Sequence, residues 1–329
     1  MRPNLPITAL AVGLALVAAH DRGLRAQAAP AQIGHGAISH ISVAVRDIDA
    51  ATLRFADVFG LMPATINPKQ VLAAPDGSPA AQGKTASVTL PNFFIELQQA
   101  TAPYGPIHEW LQKHGQSVHH IGLVTPENFG DVRTRLIEKG GRWVGGTTDT
   151  TWAYVELRDP LGATLEPVNP QTYERQLQRM TKAPPGATLG TRPLARIGVV
   201  VRNVEAAAKA YADLLGVTPS PVRVLTPTDY PPDSTASRTA TLRASSWKHQ
   251  NGVEVELIEP VGASPWTEAL QRQRGNAVHH LTFQAGDQFA NLIALLQGKG
   301  GRLIYGRPGS SSAYLDFTDT LGFTIGLVR

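Results

Sequence analysis

The strongest constraint on the fold of this chain is a long internal repeat. The segment ISHISVAVRDIDAATLRFADVFGLMP, which begins at Ile38, recurs as LARIGVVVRNVEAAAKAYADLLGVTP from Leu194. Further on, SVHHIGLVT recurs as AVHHLTFQA, and DPLGATLEP recurs as DTLGFTIGL. The repeated stretch, roughly 130 residues, is much longer than the roughly 20–50 residues of a solenoid unit. It therefore predicts a duplicated module, with copies at residues 38–169 and 194–329 and a linker at residues 170–193 that contains a short helix at Tyr173–Met180.

A second, weaker repeat lies within each copy. HISVAV at His40 resembles HIGLVT at His120, and each opens a predicted strand that leads into an amphipathic helix. The two helices are predicted over Asp47–Phe59 and Glu127–Lys139. Gly60 follows the first helix, as glycine commonly does at a helix C-terminus. Three short alternating segments follow each helix, with predicted strands at residues 61–66, 84–90, 93–98, 142–144, 151–157 and 163–168.

This pattern of one strand, one helix and three strands occurs four times along the chain. Strands that alternate with single helices favour a mixed sheet with its helices on one face. The sequence therefore predicts an α+β fold made of four βαβββ units, two in each module.

The composition argues against several classes of function. Hydrophobic residues make up 42% of the chain and charged residues 17%, which is typical of a globular protein. The formal net charge is +4, and the sequence has no cluster of Lys and Arg residues of the kind that binds nucleic acid. The chain has no cysteine, which excludes disulfides and thiolate metal sites.

The N-terminus has the pattern of an export signal. Arg2 precedes the apolar run LPITALAVGLALVAA, and Ala26 and Ala28 fit a cleavage site after Ala28. The run is shorter than the ~20 residues that span a bilayer. We predict that residues 1–28 are a cleaved signal peptide and that the protein is exported, periplasmic or secreted, without stable membrane insertion. A retained N-terminal anchor is the alternative.

The alternation of side chains along the predicted strands separates two faces of each sheet. Large apolar residues such as Ile41 and Val43 belong under the helices. The opposite face carries small residues together with His40, Glu96, His120 and Glu166. A single histidine or glutamate in such a place is usually a solvated or satisfied residue. Two imidazoles and two carboxylates together can hold a divalent metal, and their donors suit Zn, Ni, Co, Mn or Fe(II).

The histidine pair in SVHHIGLVT is unequal by the same alternation. His120 shares the face of His40, whereas His119 points to the opposite side and is predicted to be structural. The second copy keeps the pair at His279 and His280, so the pair alone does not indicate a metal site.

These segments carry a family resemblance. The chain resembles the vicinal oxygen chelate superfamily, which also contains glyoxalase I and the extradiol dioxygenases. The first copy is most similar to methylmalonyl-CoA epimerases through SHISVAVRDIDAATLRFADVFGLMP, FIELQQATAPYGPIHEWLQKHGQSVHHIGLV and DPLGATLEPV, and the second shares VELIEPVGASPWTEALQRQRGNAVHHLTF. The resemblance implies that each module is a half-barrel sheet around one divalent metal ion. Carried over to the first copy, the implied metal ligands are His40, Glu96, His120 and Glu166.

The second copy departs from this ligand pattern. Arg196 stands at the position of His40, and Gly326 stands at the position of Glu166. Only the positions of Glu96 and His120 keep the same residue types, as Glu256 and His280. We predict a degenerate second module that serves for packing, for covering the first cavity, or for binding an anion at Arg196.

The resemblance also implies a chemistry. Family members bind a substrate through two neighbouring oxygens, and a carboxylate moves a proton on the adjacent carbon. Glu166 or Glu96 is then expected to act as ligand and base in turn. The epimerases add an acid from a loop in which this chain has only Asp76. Glu156 is our hypothetical substitute, because it shares the inward parity of Tyr154; an exposed glutamate is the alternative.

Three functions remain open at this point. The first is a metal-dependent isomerase, epimerase or lyase that transfers a proton on a small vicinal-oxygen substrate. The second is an extradiol-type Fe(II) dioxygenase, and the third is a non-enzymatic binder like the bleomycin-resistance members. Export makes an acyl-CoA substrate less favoured than a small aromatic or carbonyl compound. We expect a monomer or a homodimer.

Overall fold

The computed structural model describes residues 33–71, 81–125, 129–146, 152–180, 187–232, 234, 236–237 and 239–329. The predicted signal peptide and Asp76 lie outside the described residues. Within them, no helix has both the length and the apolar character needed to cross a membrane.

The first module contains eight strands and four helices in its described part. The strands are β1 (Ile38–Ala44), β2 (Asn67–Val71), β3 (Ala81–Thr89), β4 (Phe94–Ala100), β5 (Ser117–Val124), β6 (Arg142–Gly146), β7 (Ala153–Glu156) and β8 (Thr164–Val168). The helices are α1 (Ile48–Phe59), α2 (Pro106–His114), α3 (Phe129–Glu138) and α4 (Arg158–Leu161). Helix α5 (Pro170–Leu177) follows in the segment between the modules.

The second module repeats this order. Its strands are β9 (Leu194–Val200), β10 (Arg223–Leu225), β11 (Thr241–Lys248), β12 (Glu254–Val261), β13 (Ala277–Gln284), β14 (Arg302–Tyr305), β15 (Ser312–Asp316) and β16 (Thr324–Val328). Its helices are α6 (Val204–Leu215), α7 (Pro265–Arg272), α8 (Phe289–Gly298) and α9 (Thr318–Leu321).

Each module forms one mixed eight-stranded sheet. The strand order is β2-β3-β4-β1-β5-β8-β7-β6 in the first and β10-β11-β12-β9-β13-β16-β15-β14 in the second. Strand β1 runs parallel to β4 and antiparallel to β5, which in turn runs parallel to β8. The two βαβββ units of a module thus meet at their first strands. The predicted α+β fold with four such units in two half-barrel sheets is confirmed.

The first helix of each module is delimited by the same local chemistry. The Asp47 carboxylate accepts the backbone N–H groups of residues 49 and 50, and so caps α1. Asn203 caps α6 in the same way. Gly60 and Gly216 end these helices with φ of 67° and 71°, a left-handed conformation that favours glycine. The repeat therefore extends to the residues that start and stop the helices.

Two predicted elements are shifted. The strand predicted at residues 61–66 is irregular, and β2 begins at Asn67, because Pro63 fixes its φ and has no N–H for a ladder. The helix predicted over Tyr173–Met180 is α5, which starts three residues earlier. Pro170 suits the first turn, and the Asn169 side chain accepts the N–H of Gln171.

The two modules share one hydrophobic core. Phe55 and Phe59 of α1 pack on Phe323 and Phe283 of the second module, with ring centroids 6.0 and 5.7 Å apart. The chain from Gln32 to Arg329 forms a single compact unit. The predicted module boundaries remain predictions, since the fold does not separate there.

A reciprocal pair of asparagines also joins the modules. The Asn92 side chain bonds both backbone groups of Leu194, at 2.8 and 2.9 Å. The Asn251 side chain bonds both backbone groups of Ile38, at 3.4 and 2.8 Å. Each asparagine thus ties the loop of one module to the first strand of the other, which aligns the strand that carries His40.

Candidate metal centre

Four side chains from four neighbouring strands converge on one face of the first sheet. His40 lies on β1, Glu96 on β4, His120 on β5 and Glu166 on β8. One donor atom of each lies within 4.8 Å of the others. Among the described residues, this is the one group of three or more His, Cys, Asp and Glu side chains with such spacing.

The strand register explains this convergence. Ser42 is paired with Glu96 on one side of β1 and with His120 on the other, and Gly122 is paired with Glu166. Because side chains alternate, residues paired across adjacent strands point to the same face of the sheet. Residues two apart do so as well, which brings His40 beside Ser42. The predicted parity of the four donors therefore holds in the structure.

The separations of the donor atoms suit a metal ion. Donors about 2.1 Å from one ion lie roughly 3.0–3.4 Å apart in tetrahedral or octahedral geometry. The Nε2 atoms of His40 and His120 are 3.2 Å apart, and Glu166 Oε2 is 3.2 and 2.7 Å from them. Glu96 Oε2 is 4.0 and 3.7 Å from the same nitrogens. The residues present fit a divalent cation with nitrogen and oxygen ligands.

Neighbouring groups orient the two imidazoles. The Ser39 hydroxyl is 2.8 Å from His40 Nδ1, which leaves Nε2 directed at the cluster. Phe94 stacks on the His40 ring with centroids 4.7 Å apart. His119 Nδ1 is 2.8 Å from His120 Nδ1, and His119 is buried outside the donor cluster. His119 thus contacts the predicted ligand His120 on the side of its ring that faces away from the cluster. Such contacts fix the ring orientation of metal-binding histidines.

Lys69 of β2 is a functional residue that the sequence analysis missed. Its Nζ is 2.9 Å from Glu96 Oε1 and 3.1 Å from the Tyr154 hydroxyl, and it lies 5.1 Å from the centre of the Trp152 ring. Burial would lower the pKa of Lys69, but the nearby carboxylates, Glu96 first, raise it above its usual value. Lys69 is therefore a fixed cation. Its sequence signal is weak: it is the only charged residue between Asp57 and Asp76.

Glu96 is held by three donors. Thr85 Oγ1 donates to Oε1 at 2.9 Å, Lys69 donates to the same oxygen, and Gln98 Nε2 donates to Oε2. Burial would raise the pKa of Glu96, but the ammonium of Lys69, followed by His40, lowers it to about 2. Glu96 is thus an ionised carboxylate in a fixed orientation.

The second carboxylate of the cluster, Glu166, is also ionised, and His120 is neutral. Burial would raise the pKa of Glu166, yet His40 and His120 hold it well below its usual range. Burial lowers the pKa of His120. An ionised carboxylate and a neutral imidazole are the forms that bind a metal ion.

The structure places Glu156 away from this cluster. Its carboxylate accepts hydrogen bonds from Arg142, at 3.0 Å from Nε, on the adjacent strand β6. It lines a separate small cavity with Arg142 and His119. The hypothesis that Glu156 supplies an extra acid to the centre fails in this geometry. Glu156 lies on β7, which is beyond the four strands that carry the donors, and its carboxylate is bound by Arg142 instead. Tyr154, by contrast, packs on His120 with centroids 4.7 Å apart.

A cavity of about 140 Å³ opens directly onto the donors. Its walls come from two strands and from the segment between the modules. The lining residues outside the donor set are Ser87, Thr89, Phe94, Gln176, Arg179 and Met180. The contribution of the linker to this cavity was not predicted from the sequence.

The equivalent place in the second module is occupied by an arginine. Arg196 donates to Glu254 and Glu256, both at 3.1 Å, and Arg223 donates to the second oxygen of Glu256 at 2.9 Å. Burial, with His279 and Arg196 as lesser causes, lowers the pKa of His280 well below its usual value. Guanidinium groups thus neutralise Glu256, the counterpart of Glu96 in the second module.

Comparison with known proteins agrees with the duplicated architecture. The sequence profile described as "Glyoxalase/Bleomycin resistance protein/Dioxygenase superfamily" matches residues 39–154 and 195–314, once per module. An ethylmalonyl-CoA/methylmalonyl-CoA epimerase from Cereibacter sphaeroides is 30% identical over 111 residues, which span 33% of this chain and 75% of that protein. The predicted resemblance to the superfamily and to the epimerases is confirmed.

Two solved structures have a similar fold. A mutant of 4-hydroxymandelate synthase from Streptomyces coelicolor superposes with a TM-score of 0.59 at 14% identity, over 89% of this chain and 93% of that one. A xylose isomerase-like TIM barrel/4-hydroxyphenylpyruvate dioxygenase fusion protein gives 0.54 at 15% identity, over 91% of this chain and 49% of that one. At these identities the likeness concerns the fold alone.

Proposed function

The chain belongs to the glyoxalase/bleomycin resistance protein/dioxygenase superfamily, and from this we propose that its first module is a metal-dependent proton-transfer enzyme, an isomerase, epimerase or glyoxalase-like lyase. Its substrate is a small molecule with two neighbouring oxygens. The observation that carries the proposal is the cluster of four donors within 4.8 Å of one another, on the floor of a cavity.

The proposed cofactor is a divalent ion held by His40, Glu96, His120 and Glu166. Such an ion supplies Lewis-acid polarisation of substrate oxygens, which makes the adjacent C–H bond more acidic. Zn, Ni, Co, Mn and Fe(II) all suit this donor set.

The two glutamates have different roles in this proposal. Glu96 is fixed by Lys69, Thr85 and Gln98, which keeps it in place as a ligand. Glu166 lines the cavity and contacts the two histidines through Oε2. Its ionised carboxylate is the form that accepts a proton. Glu166 is therefore the proposed base, which removes a proton from the substrate carbon and returns it.

Proton exchange with solvent tests this chemistry. Hydroxyacetone and dihydroxyacetone carry the required neighbouring oxygens, and loss of their C–H signals in D2O is followed by NMR. We expect the metal-loaded protein to accelerate exchange and Glu166→Gln to abolish the acceleration. Glu156→Gln is the matched control and is expected to behave like the wild type, because Glu156 faces Arg142.

Two other outcomes identify the alternative functions. Oxygen consumption with a catechol, without proton exchange, would assign the chain to extradiol-type dioxygenase chemistry. Binding without exchange or oxygen uptake would leave a small-molecule binding protein.

The compartment is a further part of the proposal. The apolar run and the alanines before residue 29 support export, and mass spectrometry of the mature protein tests it. A chain that begins at Ala29 is the expected result, and an intact N-terminus would contradict cleavage. Export would separate this protein from the CoA thioesters named for its epimerase relative.

A further inference from the structure

The cavity over the donors is completed by the segment between the two modules. Gln176, Arg179 and Met180 line it together with the strand residues Ser87 and Phe94. The linker was predicted only to connect the modules. In the structure, it forms one wall of the proposed substrate cavity.

The second module approaches this wall through one side chain. Tyr173 of α5 lies near Asn251, which acts against burial to lower the pKa of the Tyr173 hydroxyl. Asn251 also bonds both backbone groups of Ile38, at the start of the strand that carries His40. One side chain of the second module therefore lies close both to α5 and to the strand that carries His40. This contact gives the degenerate module a role at the first centre.

Two polar groups of this wall lack partners among the described residues. Gln176 Oε1 is buried without a hydrogen-bond partner there. Arg179 is exposed, and no described carboxylate lies within ion-pair distance of its guanidinium. Buried polar groups in proteins are nearly always satisfied, so an unpaired acceptor that lines a cavity points to a ligand.

The charges around the cavity favour an anion. The two carboxylates of Glu96 and Glu166 balance one divalent cation, and the histidines are neutral as ligands. Lys69, 2.9 Å from Glu96, then leaves one positive charge in excess, and Arg179 adds a second at the rim. A cavity with surplus positive charge attracts negatively charged ligands.

The size and the apolar contacts of the cavity define the body of the ligand. Its volume of about 140 Å³ is close to that of an engineered cavity of roughly 150 Å³ that holds benzene. Phe94 and Met180 supply apolar contacts in its lining. We infer that the ligand is a carboxylate anion with a ring-sized body and two neighbouring oxygens, whose carboxylate is bound by Arg179, while Gln176 Oε1 accepts a hydrogen bond from an O–H or N–H group elsewhere on the ligand. This inference rests on the proposed function, because the neighbouring oxygens require the metal.

A matched pair of probes tests the inference. 3,4-Dihydroxybenzoate and 3,4-dihydroxybenzamide share the vicinal oxygens and the ring, and differ in the charge of one group. Their binding to the zinc-loaded full-length protein is measured by calorimetry. We expect the benzoate to bind about fivefold more tightly or better, which corresponds to an exposed ion pair. The preference is expected to shrink in 1 M NaCl, where charges are screened.

Two variants assign the preference to one residue. Arg179→Gln is expected to abolish it with zinc content unchanged, because Arg179 is not a metal ligand. Arg175→Gln is the control: Arg175 lies in α5, one turn before Arg179, and bonds Thr172 instead of lining the cavity. Equal binding of the probes, or no binding of either, to a zinc-loaded wild type would overturn the inference. So would a preference that survives in Arg179→Gln. A wild type that takes up no zinc in the same samples would instead overturn the proposed function.

Discussion

Gly122 leaves room for the imidazole of His40. A Cβ atom at residue 122 would lie 2.3 Å from Cε1 and Nδ1 of the His40 ring and 2.6 Å from Ser39 Oγ. Gly122 is also paired with Glu166 across the parallel strands β5 and β8. In the second module the corresponding pair is Thr282 and Gly326, so the glycine lies on the other strand. The first module thus has both the glycine that makes room for the His40 ring and the glutamate paired with that glycine. The second module has neither residue at the equivalent positions.

Gly122→Ala is expected to weaken metal binding. The added methyl group has to displace the His40 ring, since contacts at 2.3 Å are not tolerated. Loss of ligand orientation typically lowers metal affinity about 10- to 100-fold. Competition with a chromophoric chelator measures the affinity. Gly298→Ala is the control, because no atom lies within 4 Å of its added Cβ. Unchanged affinity in Gly122→Ala would contradict the role given to this glycine.

Lys69→Met is expected to make metal retention more sensitive to acid. Lys69 is the main group that lowers the pKa of Glu96 to about 2. Without it the pKa of Glu96 rises towards its ordinary value, and protons compete with the metal at higher pH. An adjacent opposite charge is worth about 1–3 pKa units, so we expect the pH midpoint of metal release to rise by about one unit or more. Lys84→Met is the control, because Lys84 pairs with the exposed Asp49; equal midpoints for all three proteins would refute this role.

His279 is expected to destabilise the protein in acid. Burial lowers its pKa to about 4 from 6.5, so between these values the unfolded chain binds more protons than the folded one. Stability is therefore full above pH 6.5 and falls as the pH decreases towards 4. The loss amounts to about 3 kcal/mol for this group. Urea unfolding from pH 7 to pH 4 measures it. His279→Gln is expected to lose correspondingly less stability over this range, and an identical pH slope would disprove the assignment.

The convergence of four side chains on one face could be predicted because it is encoded by regular features of the sequence. The repeat identified the units, and the two-residue alternation placed His40, Glu96, His120 and Glu166 on one face. Strand pairing then brought them together. Local patterns of this kind are independent of loop conformation.

The remaining residues of the site could not be predicted in this way. Lys69 reaches Glu96 only because β2 starts at Asn67, after the irregular residues that follow Gly60. Gln176 and Arg179 belong to the segment between the modules and line the cavity only in the folded chain. Such contacts depend on tertiary arrangement between distant parts of the chain, which leaves no periodic signal in the sequence. The parity that suggested Glu156 was outweighed by its pairing with Arg142.

The metal content of three purified proteins tests the proposed centre most directly. The wild type, His40→Ala and His280→Ala are loaded with Zn²⁺, dialysed and analysed by elemental mass spectrometry, with circular dichroism to verify folding. His280 is the matched control, since it is the repeat counterpart of His120 in the module where Arg196 pairs with Glu256. We predict about one ion per chain in the wild type and in His280→Ala, and a loss of most of it in His40→Ala. A wild type without zinc, or a folded His40→Ala protein that retains the wild-type content, would contradict a metal centre in the first module.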